Sequence, residues 1–313
     1  VGAGGGSIAW ADEAGALKVG PKSAGAAPGP ACYNLGGDQP TITDANVVMG
    51  LTNPEYLAGG ALKVYPDLAE KAVKDKVASR LNLDLIKAAW GIRTVANSSL
   101  IRALRAVSTE RGRDPRRFVL FAFGGMGPVH ALDLANELGI VKVIIPPLPG
   151  LFSALGLLFA QVEHHMIQTH YANTRELDYK RLNGVISNLV NEAVSTLKRE
   201  GYDTAHRTVE LSADTRYVGQ DYALTIPLRG ETLDSNLIAQ LIEDFHKEHD
   251  KTYGYRSDKE EVQIVAIRVL ARGLADKARV PERLSVTSVK GWKPSPSRKC
   301  YFGPEKGFIK TDV

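Results

Sequence analysis

The chain has 313 residues, 44% hydrophobic and 24% charged, with a formal net charge of +4. That suits a globular protein of one large or two ordinary domains, and lysines and arginines scattered without a basic block argue against nucleic acid as a partner. Two cysteines far apart, Cys32 and Cys300, exclude a disulfide scaffold or a thiolate metal site and suit a reducing, cytoplasmic compartment, while the longest apolar stretch, Gly150 to Val162, is too short to span a bilayer. No segment reads as a signal peptide. The chain opens at Val1 on a glycine-rich turn with no strand before it, so the expectation is a fragment or a processed piece.

Val1-Gly-Ala-Gly-Gly-Gly-Ser7 reads as a loop with exposed backbone amides. Ile8–Trp10 and Gly15–Val19 read as short strands around a turn at Asp12-Glu13. Gly20 to Pro30 is a small-residue loop that cannot be helix, and it is expected to be ordered against a ligand. Thr41-Ile-Thr-Asp-Ala45 begins a helical stretch with Thr43 or Asp44 as N-cap. Asp44 therefore has two readings, a helix cap and a catalytic carboxylate. Pro66 to Arg80 is a helix with Leu68, Ala72, Val73 and Val77 on one face. Asp84 caps a long helix running to about Arg111, striped by Leu85, Ala89, Ile92, Ala96, Ala103 and Val107. Its polar set, including Arg93 and Asn97, reads mostly as a solvated face. Gly112 and Asp114-Pro115 end it.

Phe118-Val-Leu-Phe-Ala-Phe-Gly-Gly-Met-Gly-Pro-Val-His130 organises the chain. Six apolar residues run into a glycine turn, a helical pattern follows, and a second apolar run, Val141–Ile145, comes after Gly139. This is strand, turn, helix, parallel strand, with near-continuous apolar strands that imply a sheet covered on both faces. Glycines at the strand's C-terminal end let a ligand approach the backbone, with a helix N-terminus behind them. A plain structural turn has the same composition. Ser153 to Phe159 reads as a short buried helix. His164, His165 and His170 lack metal-ligand spacing; the adjacent pair points to opposite faces of a strand.

From about residue 171 the composition changes. Glu176 to Glu200 is an amphipathic helix, Thr208–Asp214 and Tyr222–Ile226 alternate as a hairpin around Gly219-Gln-Asp221, another helix carries Leu237, Ile238, Leu241, Ile242, Phe245 and His249, and Val262–Leu270 is a strand. The expected division is residues 1–170, an α+β domain over 171–278, and an irregular tail over 279–313.

Together these motifs resemble the hydantoinase A family of ATP-dependent hydantoinase, 5-oxoprolinase and acetone and acetophenone carboxylase subunits. The resemblance is carried by Gly2–Ala9, Val19–Tyr33, Gly36-Gly37, Thr41–Ala45, Phe123–His130, Pro146–Gly156, Arg216–Gln220 and His249–Tyr255. It covers nearly the whole chain in order. It implies an α/β core of the actin and sugar-kinase (ribonuclease H-like) type followed by a smaller α+β domain. Two phosphate-binding motifs of the form Asp-x-Gly-Gly-Thr belong further N-terminal in that resemblance and do not occur in this sequence, so the chain is expected to match the second half of the core.

The implied chemistry is transfer of the ATP γ-phosphoryl group to an amide oxygen of a cyclic amide, or to an enol or carbonate oxygen in the carboxylase branch, where positioning and electrostatics dominate. ATP and Mg2+ are the implied cofactors. The implied partners are the N-terminal half of the same subunit and a hydantoinase B-type subunit; a non-catalytic assembly module is the competing reading. Gly124, Gly125 and Gly127 are the expected nucleotide contacts, and a Cβ at Gly125 is expected to block the approach. Gly4, Gly5, Gly6 and Ser7 are the expected phosphate or substrate loop. Thr43 and Asp44 are the candidate catalytic residues. His130 reads as a packed histidine, and Arg216 and Gln220 as maintaining the C-terminal domain.

Overall fold

In the computed structural model, residues 4–55, 57, 61–230, 232–274 and 297–312 are described. Contacts divide the chain into two units. One comprises Val1–Ser108, Asp114–Ser153 and Ser285–Val313; the other comprises Thr109–Arg113 and Ala154–Leu284.

The first unit starts with an antiparallel hairpin, β1 (Ser7–Ala11) and β2 (Leu17–Ser23), with Ala9 opposite Val19. β2 runs on through Gly20-Pro21, residues whose composition had suggested loop. Helix α1 (Ile42–Val48) is capped by Thr41, not by Thr43 or Asp44. Thr41 is extended (φ −121°, ψ 174°), its hydroxyl accepts from Asp44 N, and Asp44 returns a bond to Thr41 N: a capping box. α2 (Pro66–Val73), a π turn (Lys74–Ala78) and α3 (Ser79–Leu81) form one continuous helical stretch, stopped at Asn82 with φ 52°. α4 (Leu85–Val107) follows, with the Asp84 carboxylate accepting from Lys87 N at 2.8 Å. Ala88, Ala89, Ile92 and Ala96 of α4 are buried with Ile42 and Ala45 of α1 and with Val73 and Val77. Alanines at these positions let the helix backbones come close, and the core is built from that approach.

β3 (Leu120–Phe121), α5 (Gly127–Leu138) and β4 (Val143–Ile144) are the strand–helix–strand unit expected from sequence. β3 and β4 are parallel, Leu120 opposite Val143. Ala131, Leu134, Ala135 and Leu138 bury one stripe of α5. The expectation of a sheet covered on both faces is not met. Phe121 and Phe123 are 42% and 45% exposed, whereas Ala122 between them is buried. α6 (Phe152–Leu157) is likewise exposed rather than buried; Phe152 joins Phe121 and Phe123 with ring centroids 5.2 and 5.5 Å away.

The second unit is a four-stranded antiparallel sheet of β5 (Val162–Asn173), β6 (Arg207–Tyr217), β7 (Leu224–Leu228) and β8 (Val262–Gly273), in the order β5-β8-β6-β7. Residues 162–170, expected in the first domain, thus pair here as part of β5. The predicted hairpin is present, with Asp214 opposite Thr225. α7 (Tyr179–Arg199) buries Leu182, Ile186, Leu189, Ala193 and Leu197, and α8 (Ser235–Tyr253) buries Ile238, Leu241 and Phe245. Both stripes enter one core with Ile264, Ile267, Val269 and Ala271 of β8. The register of β8 with β5 and with β6 slips between Ile264 and Ala266, and burial along the strand changes phase just beyond it, at Ala266–Ile267: a bulge keeps apolar side chains in the core. The other face carries charges, Arg268 on Asp214 at 2.8 Å and Arg272 between Glu163 and Glu210. Among the described residues, no group of three His, Cys, Asp or Glu side chains is placed to hold a metal ion.

Arg216 and Gln220, expected to maintain the C-terminal domain, bond to residues of the second unit. Gln220 Oε1 accepts from Tyr217 N, so its amide nitrogen faces His249 Nε2 (3.1 Å) and the Tyr255 hydroxyl (3.0 Å). His249 is therefore the tautomer with Nδ1–H, which donates to Tyr255 O at 2.9 Å. Arg216 holds Gln263 Oε1 through two bonds.

The expected irregular tail is, over residues 298–312, a hairpin of β9 (Arg298–Tyr301) and β10 (Phe308–Thr311) that belongs to the first unit. Arg298 Nε donates to Gly50 O at 2.6 Å, Tyr301 N to Met49 O at 2.8 Å, and Cys300 is buried. Residues 275–296 lie outside the described residues. Among the described residues, no helix is long and apolar enough to cross a membrane.

Candidate functional site

The turn Gly124–Gly127 joins the C-terminal end of β3 to the N-terminus of α5. Gly124 has φ 89°, a conformation open to glycine and strained for other residues. Its N–H donates to Pro149 O at 2.8 Å, which ties the turn to the loop after β4. Around the ideal Cβ positions of Gly124 and Gly125 there is no protein atom within 4 Å. The steric demand assigned to Gly125 therefore does not come from the protein, and the left-handed backbone belongs to Gly124. Gly127 starts α5, which has no side-chain cap at Met126, so its N-terminal dipole faces the turn. Beside it lies an apolar cavity of about 400 Å³ between α4, β3 and α5, lined by Leu100, Leu104, Phe123, Gly127 and Leu134.

The loop Gly4–Ser7 comes to the same place. Ser7 closes it, with Gly4 N donating to Ser7 Oγ and Ser7 N to Gly4 O, both at 2.9 Å. Thr43 donates twice to Gly5 O, from its backbone N (2.9 Å) and from Oγ1 (3.0 Å). A Cβ on Gly5 would stand 2.8 Å from Thr43 Oγ1 and 3.0 Å from Met126 Cγ, and one on Gly6 would stand 2.9 Å from Ser23 Oγ. Gly5, Thr43 and Met126 thus meet, and glycine at Gly5 is what lets the two loops approach.

Asp44 does not join them. It is fully buried, and its carboxylate accepts from Cys32 N (2.8 Å), Ala31 N (3.3 Å), Thr41 N (2.8 Å) and Thr41 Oγ1 (2.7 Å). Those donors are three backbone N–H groups and the capping hydroxyl of Thr41, so the carboxylate ties the start of α1 to the Ala31–Cys32 turn. Burial, with the Asp44 charge added, pushes the Cys32 thiol well above its ordinary range. The Thr43 hydroxyl, committed to Gly5 O, sets the loop.

Sequence reading missed a buried polar seam behind the turn. Arg93 and Asn97, assigned to a solvated face of α4, are 5% and 9% exposed. Arg93 donates to Asp133 Oδ2 (3.0 Å), Asn46 Oδ1 (3.1 Å) and Val129 O (2.7 Å). Asn97 bridges Asp133 (3.0 Å) and His130 Nδ1 (2.6 Å). Burial, with the Arg93 guanidinium second, pushes the His130 imidazole down to about 4. The available signal was the i, i+4 spacing of Arg93 and Asn97 beside the alanines Ala89 and Ala96, a polar pair next to a close-packing stripe.

The first unit is thus an α/β unit whose two glycine loops meet at one edge, beside helix N-termini, an arrangement suited to an anionic or nucleotide ligand. The family model described as hydantoinase/oxoprolinase matches residues 1–166, and the chain belongs to that family. It is 42% identical to an uncharacterized protein of Methanocaldococcus jannaschii, over 100% of this chain and 44% of that one. It is 32% identical to the caprolactamase subunit alpha of Pseudomonas jessenii, over 100% of this chain and 45% of that one. The crystal structure of the ATP-dependent caprolactamase from that organism matches with a TM-score of 0.81, covering 100% of this chain and 46% of that chain. The acetophenone carboxylase gamma subunit of Aromatoleum aromaticum is 38% identical, over 70% of this chain and 31% of that one. The chain spans less than half the length of each of these relatives.

Proposed function

We propose that this chain is part of a subunit of an ATP-dependent hydrolase of cyclic amides, and that the two glycine loops form one side of its phosphoryl-transfer site. The observation that carries the reading is their convergence at Thr43, with Gly5 backed against Met126 of the glycine turn. The residues fit a nucleotide: open space stands over Gly124 and Gly125 where side chains would otherwise be, and the α5 N-terminus lies beside them. Bound ATP would supply a γ-phosphoryl group that makes the amide oxygen part of a leaving group. Gly124, Gly125 and Gly127 hold the nucleoside side through backbone; Gly4–Ser7 face phosphate or substrate; Thr43 fixes that loop through Gly5 O. Mg2+ would accompany the triphosphate. It is given no ligand here, since Asp44, the one buried carboxylate nearby among the described residues, already accepts four hydrogen bonds. An actin-like ATPase core, completed by the N-terminal half of the same subunit and served by a hydantoinase B-type subunit, belongs to this reading.

A second reading, a subunit of an ATP-dependent ketone carboxylase, is favoured by the 38% identity to the acetophenone carboxylase subunit, against 32% to caprolactamase. The full-length protein with its partner, given ATP and Mg2+, separates the two. Caprolactam, 5-oxoproline and hydantoin are tested against acetone and acetophenone with bicarbonate. ADP release matched by ring-opened product supports the hydrolase. ADP release only with ketone and bicarbonate moves the assignment to the carboxylase branch, and none with any substrate supports a non-catalytic assembly module.

A further inference from the structure

Arg93 is a buried guanidinium on α4, beside Ala89, Ala96 and the buried Asn97, and the proposed chemistry does not call on it. Its contacts lead to two other helices. Nη1 donates to Asn46 Oδ1 on α1, Nη2 to Val129 O in the first turn of α5, and Nε to Asp133 Oδ2 one turn further along α5. Asn46 lies three residues after Thr43, on neighbouring turns of α1. Thr43 in turn holds Gly5 O through two bonds. A continuous chain of contacts therefore runs from the Gly4–Ser7 loop through Thr43, α1, Asn46 and Arg93 to the start of α5 and the Gly124–Gly127 turn.

We propose that Arg93 is a positioning residue: through Asn46 and Val129 it sets the spacing between the two glycine loops, so that one triphosphate can engage both. This rests on the reading of the two loops as a single nucleotide site. The geometry supports a clamp rather than a filler. A planar guanidinium sends donors in fixed directions, here to two helices at once, which a lysine ammonium cannot reproduce. Asn46 is fully buried, and among the described residues its amide nitrogen has no partner while its oxygen faces Arg93. A buried N–H left unpaired is unfavourable, so the orientation of Asn46 is dictated by the arginine rather than by its own bonding. Asp133, held also by Asn97, anchors the guanidinium from the other side.

The test compares two ligands on the full-length protein: adenosine, which engages the Gly124–Gly127 turn alone, and a non-hydrolysable ATP analogue, which spans both loops. Affinities are measured by calorimetry for the wild type, Arg93→Lys, Asn46→Ala and Asn46→Asp, with thermal midpoints alongside. Arg93→Lys and Asn46→Ala are expected to lose about tenfold or more in affinity for the ATP analogue while adenosine binding stays within about twofold. Asn46→Asp keeps an acceptor for Arg93 and is expected to bind both ligands as the wild type does. Should Arg93→Lys fail to fold, Asn46→Ala carries the test, because it removes the unpaired amide nitrogen together with the link. An unchanged ratio of the two affinities in a stable Asn46→Ala protein overturns the proposal and leaves the shared-site reading standing. A wild-type protein that binds neither ligand overturns both.

Discussion

Gly124 and Gly125 are neighbours with different physical demands. Gly124 holds φ 89°, so Gly124→Ala is expected to cost about 1–2 kcal/mol of stability from backbone strain alone. Gly125 has neither a positive φ nor a protein atom near its absent side chain, so Gly125→Ala should stay within about 0.5 kcal/mol of wild type by urea denaturation. The pair separates turn from ligand site. Weakened nucleotide binding in a fully stable Gly125→Val protein would report ligand contact directly; wild-type affinity there would leave the turn structural. His130 makes a second residue-scale prediction. Its folded imidazole takes a proton only near pH 4, against an ordinary value of 6.5. Between those values the unfolded chain binds the proton and the folded one does not, so the stability that neutral His130 contributes is complete above pH 6.5 and is lost as pH falls toward 4. The loss should reach about 2 kcal/mol by pH 5. Denaturation of wild type and His130→Gln at pH 7.5 and 5 should show a slope flatter by that amount in the variant; equal slopes would remove His130 from the acid sensitivity.

At the scale of elements, α1 is held at its first turn by one carboxylate. Asp44→Ala strands the N–H groups of Cys32, Ala31 and Thr41 in a buried place, and a loss of about 3 kcal/mol or more is expected. If the variant keeps wild-type stability yet stops ATP turnover, Asp44 is catalytic after all. The same burial predicts that Cys32 stays unmodified by thiol reagents in the native protein and reacts on unfolding, which mass spectrometry would read. Much of the element order was legible in the sequence. The stripe of α7 and the alternation of β6 and β7 have one period each, and the period states the face that is buried. The cap of α1 was misplaced because Thr41, Thr43 and Asp44 are all good capping residues; only the extended backbone at Thr41 singles it out. Arg93 and Asn97 read as a solvated face for a related reason. Charge on a helix face ordinarily means water, and what reverses that here is α5, which lies far along the chain and supplies Asp133 and the Val129 carbonyl. Among the expected site residues, the meeting of Gly5 with Met126 was equally beyond reach, since it depends on tertiary approach.

On the scale of the whole molecule, the parallel pair β3–β4 leaves Phe121 and Phe123 exposed, with the half-buried Phe152 clustered against them. Parallel sheets are ordinarily covered on both sides, so this chain made alone is expected to bind a hydrophobic dye and to self-associate. Fluorescence and sedimentation should show both, and a monodisperse, dye-free monomer would count against an open face. The same isolated chain is expected not to turn over ATP, whatever the full-length protein does. The course of the backbone has its own consequence. It leaves the first unit for Thr109–Arg113, returns at Asp114, leaves again after Ser153, and is back in the first unit by the β9–β10 hairpin. Gly112, in the short visit, has φ 64° and lies against the Lys251 carbonyl, with no room for a side chain. A protease that nicks the chain once between Ser153 and Ala154 would produce two fragments, each owning a part of both units. Such a nicked protein should migrate intact under native conditions and fall apart only in denaturant, and neither unit can be excised as a single uninterrupted piece of the gene.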